Sequence, residues 1–115
     1  MSLRESRKAN FMWTYRARII DVIDSRTVDV EIDLGLHIRT DARVILTGVL
    51  VPPGLILEWV KERVGDSEWP FILTLERNTW RDHYERHERY VGTVTTPNGD
   101  SLNDHMARWA SDNPF

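Results

Sequence analysis

The segment from Arg77 to Arg89 brings together the side chains that are best suited to binding a nucleic acid. Its four arginines can contact phosphates, and Arg81 and Arg89 are the candidates for that role. Trp80 and Tyr84 add flat rings on which bases can stack. Acidic and imidazole side chains in the same segment dilute its positive charge, so a solvated loop is the preferred interpretation.

Two histidines in this segment have the spacing of a metal-binding pair. His83 and His87 are four residues apart, so a helical turn would place both imidazoles on one face, and imidazole is a common zinc ligand. The sequence supplies no fixed third ligand beside them, and the spacing alone is a weak signal. Asp24 is the other weak candidate for a metal ligand, and we expect no functional metal site.

Apolar and acidic residues alternate from Val28 to Asp33, which is the period of a strand with one buried face. The apolar residues predict the side that faces the core. The acidic residues of the outward side, here named the acidic stripe, are Asp29, Glu31 and Asp33. A solubilising surface is the preferred interpretation of the stripe, and cation binding or contact with a partner protein are the alternatives.

Other β-rich runs lie on either side of the stripe. The sequence predicts a hairpin over Tyr15–Gly35 with its link at Asp24–Thr27. It predicts further strands in the runs Arg43–Pro53, Trp69–Glu76 and Arg89–Thr95.

Two helices complete the order of elements. The segment Leu55–Val64 predicts a helix that ends before a glycine. Ser101 begins a second helix as a capping serine with a carboxylate three residues on. Leu102, Met106 and Trp109 share one face of that helix. The predicted order is therefore strand-strand-strand-helix-strand-strand-helix.

These runs resemble the staphylococcal nuclease-like family, and the stretch Val28 to Gly35 is similar to the phage-borne branch of that family. The resemblance covers residues 13–112. It implies an α+β fold that is mainly β: a five-stranded oligonucleotide/oligosaccharide-binding (OB) β-barrel with the order given above. It also implies a phage or prophage origin.

In that family, a calcium ion is held by an aspartate of the first turn and by an aspartate just before a proline. A glutamate after the proline is the general base, and two arginines stabilise the phosphate. In this sequence Asp24 and Thr27 match the turn, while Gly48 and Pro52 match the motif of the third strand. The positions that match the family motifs therefore imply its fold, and none of them is a calcium ligand, the general base or a phosphate-binding arginine in the family.

The positions that do carry chemistry hold other residues. Arg26 and Leu50 replace the two calcium-binding aspartates, Pro53 replaces the general base, and Ile45 replaces the first arginine. Only Arg89 matches a family catalytic position, that of the second arginine. Calcium takes about six to eight oxygen ligands, and a proline cannot accept a proton. We therefore expect neither bound calcium nor any other cofactor, and no hydrolysis by the family mechanism.

The preferred function is non-enzymatic binding of single-stranded nucleic acid, a small nucleotide or a partner protein. The candidate ligand contacts are Arg26, Arg43 and Arg89, with Arg81 and Tyr84 from the loop. Arg43 is included because it lies two residues before the position of the missing arginine and so on the same strand face.

Two alternatives stay open. One is an active metal-dependent nuclease with a relocated site at Asp24, Asp29 or the pair His83 and His87. The other is a structural or virion-associated interaction protein that uses the acidic stripe or an exposed strand edge.

Length and composition set the remaining expectations. The chain has 115 residues and no cysteine, so we expect one domain at residues 12–112 without disulfides or a zinc-thiolate site. Residues 1–11 are expected to be a disordered arm, either native or vector-derived, and residues 113–115 a tail. The absence of a long apolar run and of a signal-like start favours the cytoplasm, that of the host if the protein is phage-encoded. A net charge of −3 argues against a strong nonspecific grip on duplex DNA.

Overall fold

The computed structural model describes residues 12–76 and 89–113. Five strands and two helices follow one another in these residues: β1 (Met12–Val22), β2 (Thr27–Gly35), β3 (Ile38–Leu46), α1 (Pro53–Arg63), β4 (Phe71–Glu76), β5 (Arg89–Thr95) and α2 (Leu102–Asp112). The predicted order of elements is confirmed, and the fold is mainly β with some α.

The strands form a closed barrel in the order β1-β2-β3-β5-β4. All neighbouring pairs are antiparallel except β3 and β5, which are parallel. β1 closes the barrel because Met12–Ala17 pair with β4 and Arg16–Val22 pair with β2. The β1–β2 ladder has a register shift between Ile19 and Asp21. An extra residue at such a bulge bends a strand and increases its twist.

The predicted alternation in β2 is confirmed. Val28 and Val30 are 0 % exposed and Ile32 is 3 % exposed, so their side of the strand faces the core. Both helices pack against the same core. Trp59 of α1 stacks on Phe71 of β4 with ring centroids 5.8 Å apart.

The third strand differs from the sequence prediction, which places it in the run Arg43–Pro53. β3 runs from Ile38 to Leu46 and ends before a turn in which Gly48 has a φ of +72°. It begins earlier because its polar first half continues the antiparallel ladder with β2, where Arg39 is opposite Asp33. Ladder pairing therefore extends the strand through residues whose polarity alone indicates a loop.

The second helix follows its prediction closely. Ser101 is the N-cap of α2, and its Oγ accepts a hydrogen bond from the backbone N–H of Asp104 at 3.2 Å. Leu102 and Met106 are buried and Trp109 packs against the core, which confirms their common face. α1 begins two residues earlier than predicted, at Pro53, a position that proline tolerates because no intrahelical N–H bond is required there.

No helix among the described residues is both long enough and apolar enough to cross a membrane.

Candidate functional site

Two segments that carry the predicted site positions are joined by backbone hydrogen bonds. The N–H of Leu46 donates to the carbonyl of Arg26 at 2.7 Å, and the N–H of Val51 donates to the carbonyl of Ser25 at 3.1 Å. The turn after β1 is therefore fastened to the loop that links β3 to α1. Asp24, Arg26, Leu50 and Pro53 lie on these two segments, and we name this region the turn site.

The side chains of the turn site do not form a cluster of carboxylates. Arg26 and Pro53 are exposed, and Leu50 is 59 % exposed. Oδ1 of Asp24 accepts a hydrogen bond from the backbone N–H of Arg26 at 3.0 Å, and this bond holds the pKa of the Asp24 carboxyl below its ordinary value. The carboxylate therefore stabilises its own turn, and the surface beside it offers a guanidinium and an aliphatic side chain.

Three charged residues occupy neighbouring register positions on β2, β3 and β5. Asp29 is paired with Arg43 in the β2–β3 ladder, and Arg43 is paired with Arg89 in the β3–β5 ladder. Adjacent strands lie about 4.8 Å apart, so the three Cα atoms follow one another across the barrel wall. We name this set the Asp29–Arg43–Arg89 row.

Within the row, Arg43 makes a two-point contact with Asp29. Its Nε lies 2.9 Å from Oδ1 and its Nη2 lies 3.3 Å from Oδ2. Arg43 thus lies on the outward face of β3. Ile45, which the sequence predicts to share that face, is half-buried. The row thus contains one carboxylate and two arginines.

The acidic stripe is neutralised along its length by arginines. Arg43 pairs with Asp29, and Arg16 pairs with Asp33 across the β1–β2 ladder. Arg18 and Arg39 both contact Oε1 of the middle residue, Glu31, from the strands on either side. Paired carboxylates of this kind present little net charge to a solvent cation. The ion pairs therefore favour a structural role for the acidic stripe over cation binding.

The indole of Trp69 lies close to two of these arginines. The guanidinium carbons of Arg18 and Arg39 lie 5.5 and 5.6 Å from the ring centre of Trp69. Arg39 also donates to Glu68 at 3.0 Å. The sequence reasoning missed this cluster, although Arg16 and Arg18 alternate along β1 with the same period as the acids of β2. That shared period was the signal in the sequence that could have predicted ion pairs between β1 and β2.

No family model matches this sequence, and no curated protein and no solved structure match it either. The likeness to staphylococcal nuclease-like proteins therefore rests on the motifs of the chain itself.

Four predicted site residues lie outside the described ranges. They are Arg81, His83, Tyr84 and His87. Their proposed roles stay predictions. Within residues 12–76 and 89–113, no three His, Cys, Asp or Glu side chains converge on a point where they could hold a metal ion.

A cleft lies between the end of α1 and the start of α2. This cleft has a volume of about 150 Å³ and is lined by residues of both charges, among them Arg63, Asp100 and His105. Arg63 lies over the ring of Trp59 at 4.3 Å, and its Nε is 3.7 Å from Oδ2 of Asp100. Because its basic and acidic groups face each other, the cleft has no clear preference for a charged ligand.

The end of the β2–β3 hairpin is expected to be sensitive to acid. Asp33 accepts a hydrogen bond from the N–H of Gly35 at 2.9 Å and is paired with Arg16, and together these hold the pKa of its carboxyl below the ordinary value. A depressed pKa stabilises the fold above the unfolded value of about 3.9, and this stability is lost as the pH falls toward the lower folded value. Asp33→Asn should therefore weaken the dependence of the free energy of unfolding on pH below about 4.

Urea unfolding measured at several pH values checks this expectation, with Asp112→Asn at the exposed end of α2 as the matched control. The expectation would be contradicted if the free energy of unfolding depended equally on pH in both variants and in the unchanged protein.

Proposed function

We propose that this protein is a nuclease-like OB barrel that does not hydrolyse phosphodiesters and that acts by binding a phosphate-bearing ligand, either single-stranded nucleic acid or a nucleotide. Support for the OB assignment comes from the closed five-stranded barrel with a helix between the third and fourth strands. Most residues that match the nuclease-like motifs lie on the first three strands and the loops that follow them, and Arg89 begins β5.

The observation that carries the proposal is the make-up of the turn site. Backbone hydrogen bonds join the turn to the loop, and the joined segments carry Arg26, Leu50 and Pro53 at the positions where the family motifs have the calcium ligands and the general base. A guanidinium repels a divalent cation, an aliphatic side chain offers no donor atom, and a proline ring cannot take a proton from water. General-base and electrostatic terms each contribute roughly 10²–10⁴-fold to a rate, so their joint loss removes useful hydrolysis.

The ligand class follows from charge. The Asp29–Arg43–Arg89 row carries two arginines and one carboxylate, and Arg26 stands on the turn that is bonded to the end of β3. Guanidinium groups match phosphate oxygens in geometry and charge. With a net charge of −3 the whole protein repels a long polyanion, which favours a ligand that places only a few phosphates at this surface.

The test combines binding with cleavage. A labelled oligonucleotide longer than the roughly 4–16 nucleotides that one OB fold covers is titrated with protein in chelator and followed by anisotropy. The same DNA and an RNA are incubated with protein and calcium, magnesium, manganese or zinc and analysed on a gel. We expect saturable binding and no cleavage with any of the four ions.

Two matched variants locate the contact. Arg89→Ala should weaken binding and reduce the slope of log affinity against log salt by about 0.7, the share of one neutralised phosphate on a single strand. Arg108→Ala removes an exposed arginine of α2 and should leave both quantities unchanged. Cleavage that disappears in chelator and in Arg89→Ala would overturn the non-enzymatic assignment.

The relocated-nuclease alternative meets two observations that weigh against it. Asp29 is engaged by Arg43 at two points, and Asp24 accepts the N–H of its own turn. A metal ion would have to compete with both contacts. The histidine pair of that alternative lies outside the described residues.

Contact with a partner protein is a second candidate function, and the tip of the β2–β3 hairpin favours it. Leu36 is 91 % exposed, and both Leu36 and His37 have positive φ angles, of 53° and 63°. Positive φ at both central residues is the geometry of a two-residue type I′ hairpin loop, so the observation that favours this function is the exposed side chain of Leu36. If neither DNA, RNA nor a nucleotide panel binds, this function is favoured over the first.

A further inference from the structure

On the outward face of β1, β2 and β3, the arginines lie above the carboxylates that they neutralise. The side chains of Arg18 and Arg39 are 41 % and 49 % exposed, whereas that of Glu31, which both contact, is 19 % exposed. Arg16 is 67 % exposed and its partner Asp33 is 11 % exposed. The ion pairs are thus oriented with their positive groups toward solvent, so a phosphate that approaches this face meets guanidinium groups first.

Pairing with a carboxylate leaves these arginines able to bind a further anion. A guanidinium has five N–H donors, and a carboxylate that it contacts at two points takes two of them. Arg18 contacts Glu31 through Nη2, and Arg39 contacts the same carboxylate through Nη1. Each guanidinium therefore has more N–H donors than its contact with Glu31 takes, and the oxygens of a phosphate can accept from them.

Trp69 adds a flat apolar group to the same face. Its ring centre lies 5.5 Å from the guanidinium carbon of Arg18 and 5.6 Å from that of Arg39, and the residue is half-buried. The bases of a single strand stack on aromatic rings and on guanidinium planes. We name Arg18, Arg39 and Trp69 the indole–arginine cluster, which offers a stacking surface and phosphate donors in one place.

The cluster lies on the same face of the barrel as the Asp29–Arg43–Arg89 row. Arg39 and Arg43 both contact carboxylates of the acidic stripe, so both are on the outward face of β3. They are four residues apart, which at about 3.3 Å per residue separates their Cα atoms by about 13 Å. A single nucleotide with its phosphate at the row is too short to reach the cluster as well, whereas a strand of several nucleotides can contact both.

We propose that the indole–arginine cluster is a second contact for the ligand of the proposed function, and that this ligand is a single-stranded nucleic acid that extends from the row to Trp69. The inference rests on the proposed function, because it takes the row as the first contact. Two exposed carboxylates, Asp41 and Glu68, stand beside Arg39 and weaken the hold of the cluster on phosphate. Stacking therefore carries the second contact, and it tolerates any base sequence because every base has a flat face.

Isothermal titration with two ligands tests the proposal. One ligand is an oligothymidylate of about 16 residues, which can span a whole OB fold, and the other is a thymidine dinucleotide with a terminal phosphate, which can occupy the row alone. Trp69→Leu keeps an apolar side chain and removes the flat ring. We expect it to weaken binding of the long strand at least about fivefold and to leave binding of the dinucleotide unchanged. Trp69→Phe keeps a ring and should retain most of the affinity for the long strand.

Glu68→Gln should have the opposite effect, and a gain of affinity does not arise from damage to the fold. Oε1 of Glu68 accepts a hydrogen bond from Nη2 of Arg39 at 3.0 Å, so removing its charge makes that guanidinium more available to a phosphate. The long strand should bind more tightly, and the slope of log affinity against log salt should steepen by about 0.7. Asp112→Asn removes one exposed carboxylate at the end of α2 and should leave the slope unchanged.

Three results would overturn the proposal. They are a Trp69→Leu variant that binds the long strand as tightly as the unchanged protein, a Trp69→Leu variant that loses both ligands equally, and equal salt slopes for Glu68→Gln and Asp112→Asn. The proposed function survives each of them if Arg89→Ala weakens binding of both ligands. Failure of the unchanged protein to bind either ligand would overturn the proposed function together with this inference.

Discussion

Replacing Asn103 by leucine is expected to lower the free energy of unfolding by about 2–4 kcal/mol. Asn103 is 5 % exposed, and its amide makes three hydrogen bonds to the backbone. Its Oδ1 accepts the N–H of Val94 at 3.0 Å, and its Nδ2 donates to the carbonyls of Thr47 at 2.9 Å and Gly92 at 3.1 Å. Leucine has a similar volume but no polar atom, so the buried N–H of Val94 loses its partner, at about 1–3 kcal/mol. The carbonyls of Thr47 and Gly92 each lose a donor, although that of Gly92 still accepts the N–H of Thr47 at 2.9 Å.

Urea unfolding followed by circular dichroism measures this loss, and Asn113→Ala is the matched control. Asn113 also donates its Nδ2 to a carbonyl, that of Trp109 at 2.9 Å, but it is exposed. Water can replace the lost bond there, so the cost should stay below about 1 kcal/mol. Equal losses for the two variants would show that the buried amide has no special role.

The amide of Asn103 also bears on the candidate site. Thr47 immediately follows β3, and the loop that begins there carries Leu50 to the turn site. On its other side the loop is fastened to the turn by the Val51 N–H bond to Ser25. The position of Leu50 is thus set by the first turn of the barrel and by the first turn of α2, which are far apart in sequence.

The sequence predicted the parts of the fold that local periodicity determines. Alternation in β2 identified the core-facing valines, because a strand reverses its side chains at every residue. Ser101 was predicted as a helix cap because serine and a carboxylate three residues on satisfy the free N–H groups of a first turn. Both features depend on neighbours in sequence, and both are confirmed.

Features that depend on contacts between distant residues were not predicted. The polar start of β3 is a strand because β2 supplies its hydrogen bonds, and Asn103 is buried because three carbonyl and amide groups from two other segments meet it. The sequence next to the first half of β3 and the sequence next to Asn103 do not indicate these contacts. The cluster of Trp69 with Arg18 and Arg39 likewise assembles from three separate segments.

For the candidate site, the family resemblance places Arg26 and Leu50 at the two positions that hold one calcium ion in that family. The structure joins the segments that carry them through backbone hydrogen bonds. The motif could not show that Arg43 is engaged by Asp29, since that pairing depends on the register of two strands. The register of β2 against β3 therefore determines how much of the positive charge of the row is already paired with Asp29.

Replacing Gly92 by alanine is expected to lower the free energy of unfolding by about 2–3 kcal/mol. Gly92 lies on β5 opposite Leu75 of β4 in the ladder. A Cβ added there would lie 2.6 Å from the carbonyl oxygen of Thr74 and 3.1 Å from Cδ2 of Leu75. The first contact is with backbone, so the two strands must move apart, and the carbonyl of Gly92 that binds Asn103 must move with them.

Gly54→Ala is the matched control, because it makes the same change where the structure has room. No atom lies within 4 Å of a Cβ at Gly54, and the residue stands in the first turn of α1. Alanine should raise the free energy of unfolding there by about 0.5–1 kcal/mol, since it restricts the unfolded chain. The two glycine variants therefore shift the urea midpoint in opposite directions. A Gly92→Ala midpoint equal to that of the unchanged protein would mean that β4 and β5 separate at no cost, and the close approach would then not be what holds β5 in the barrel wall.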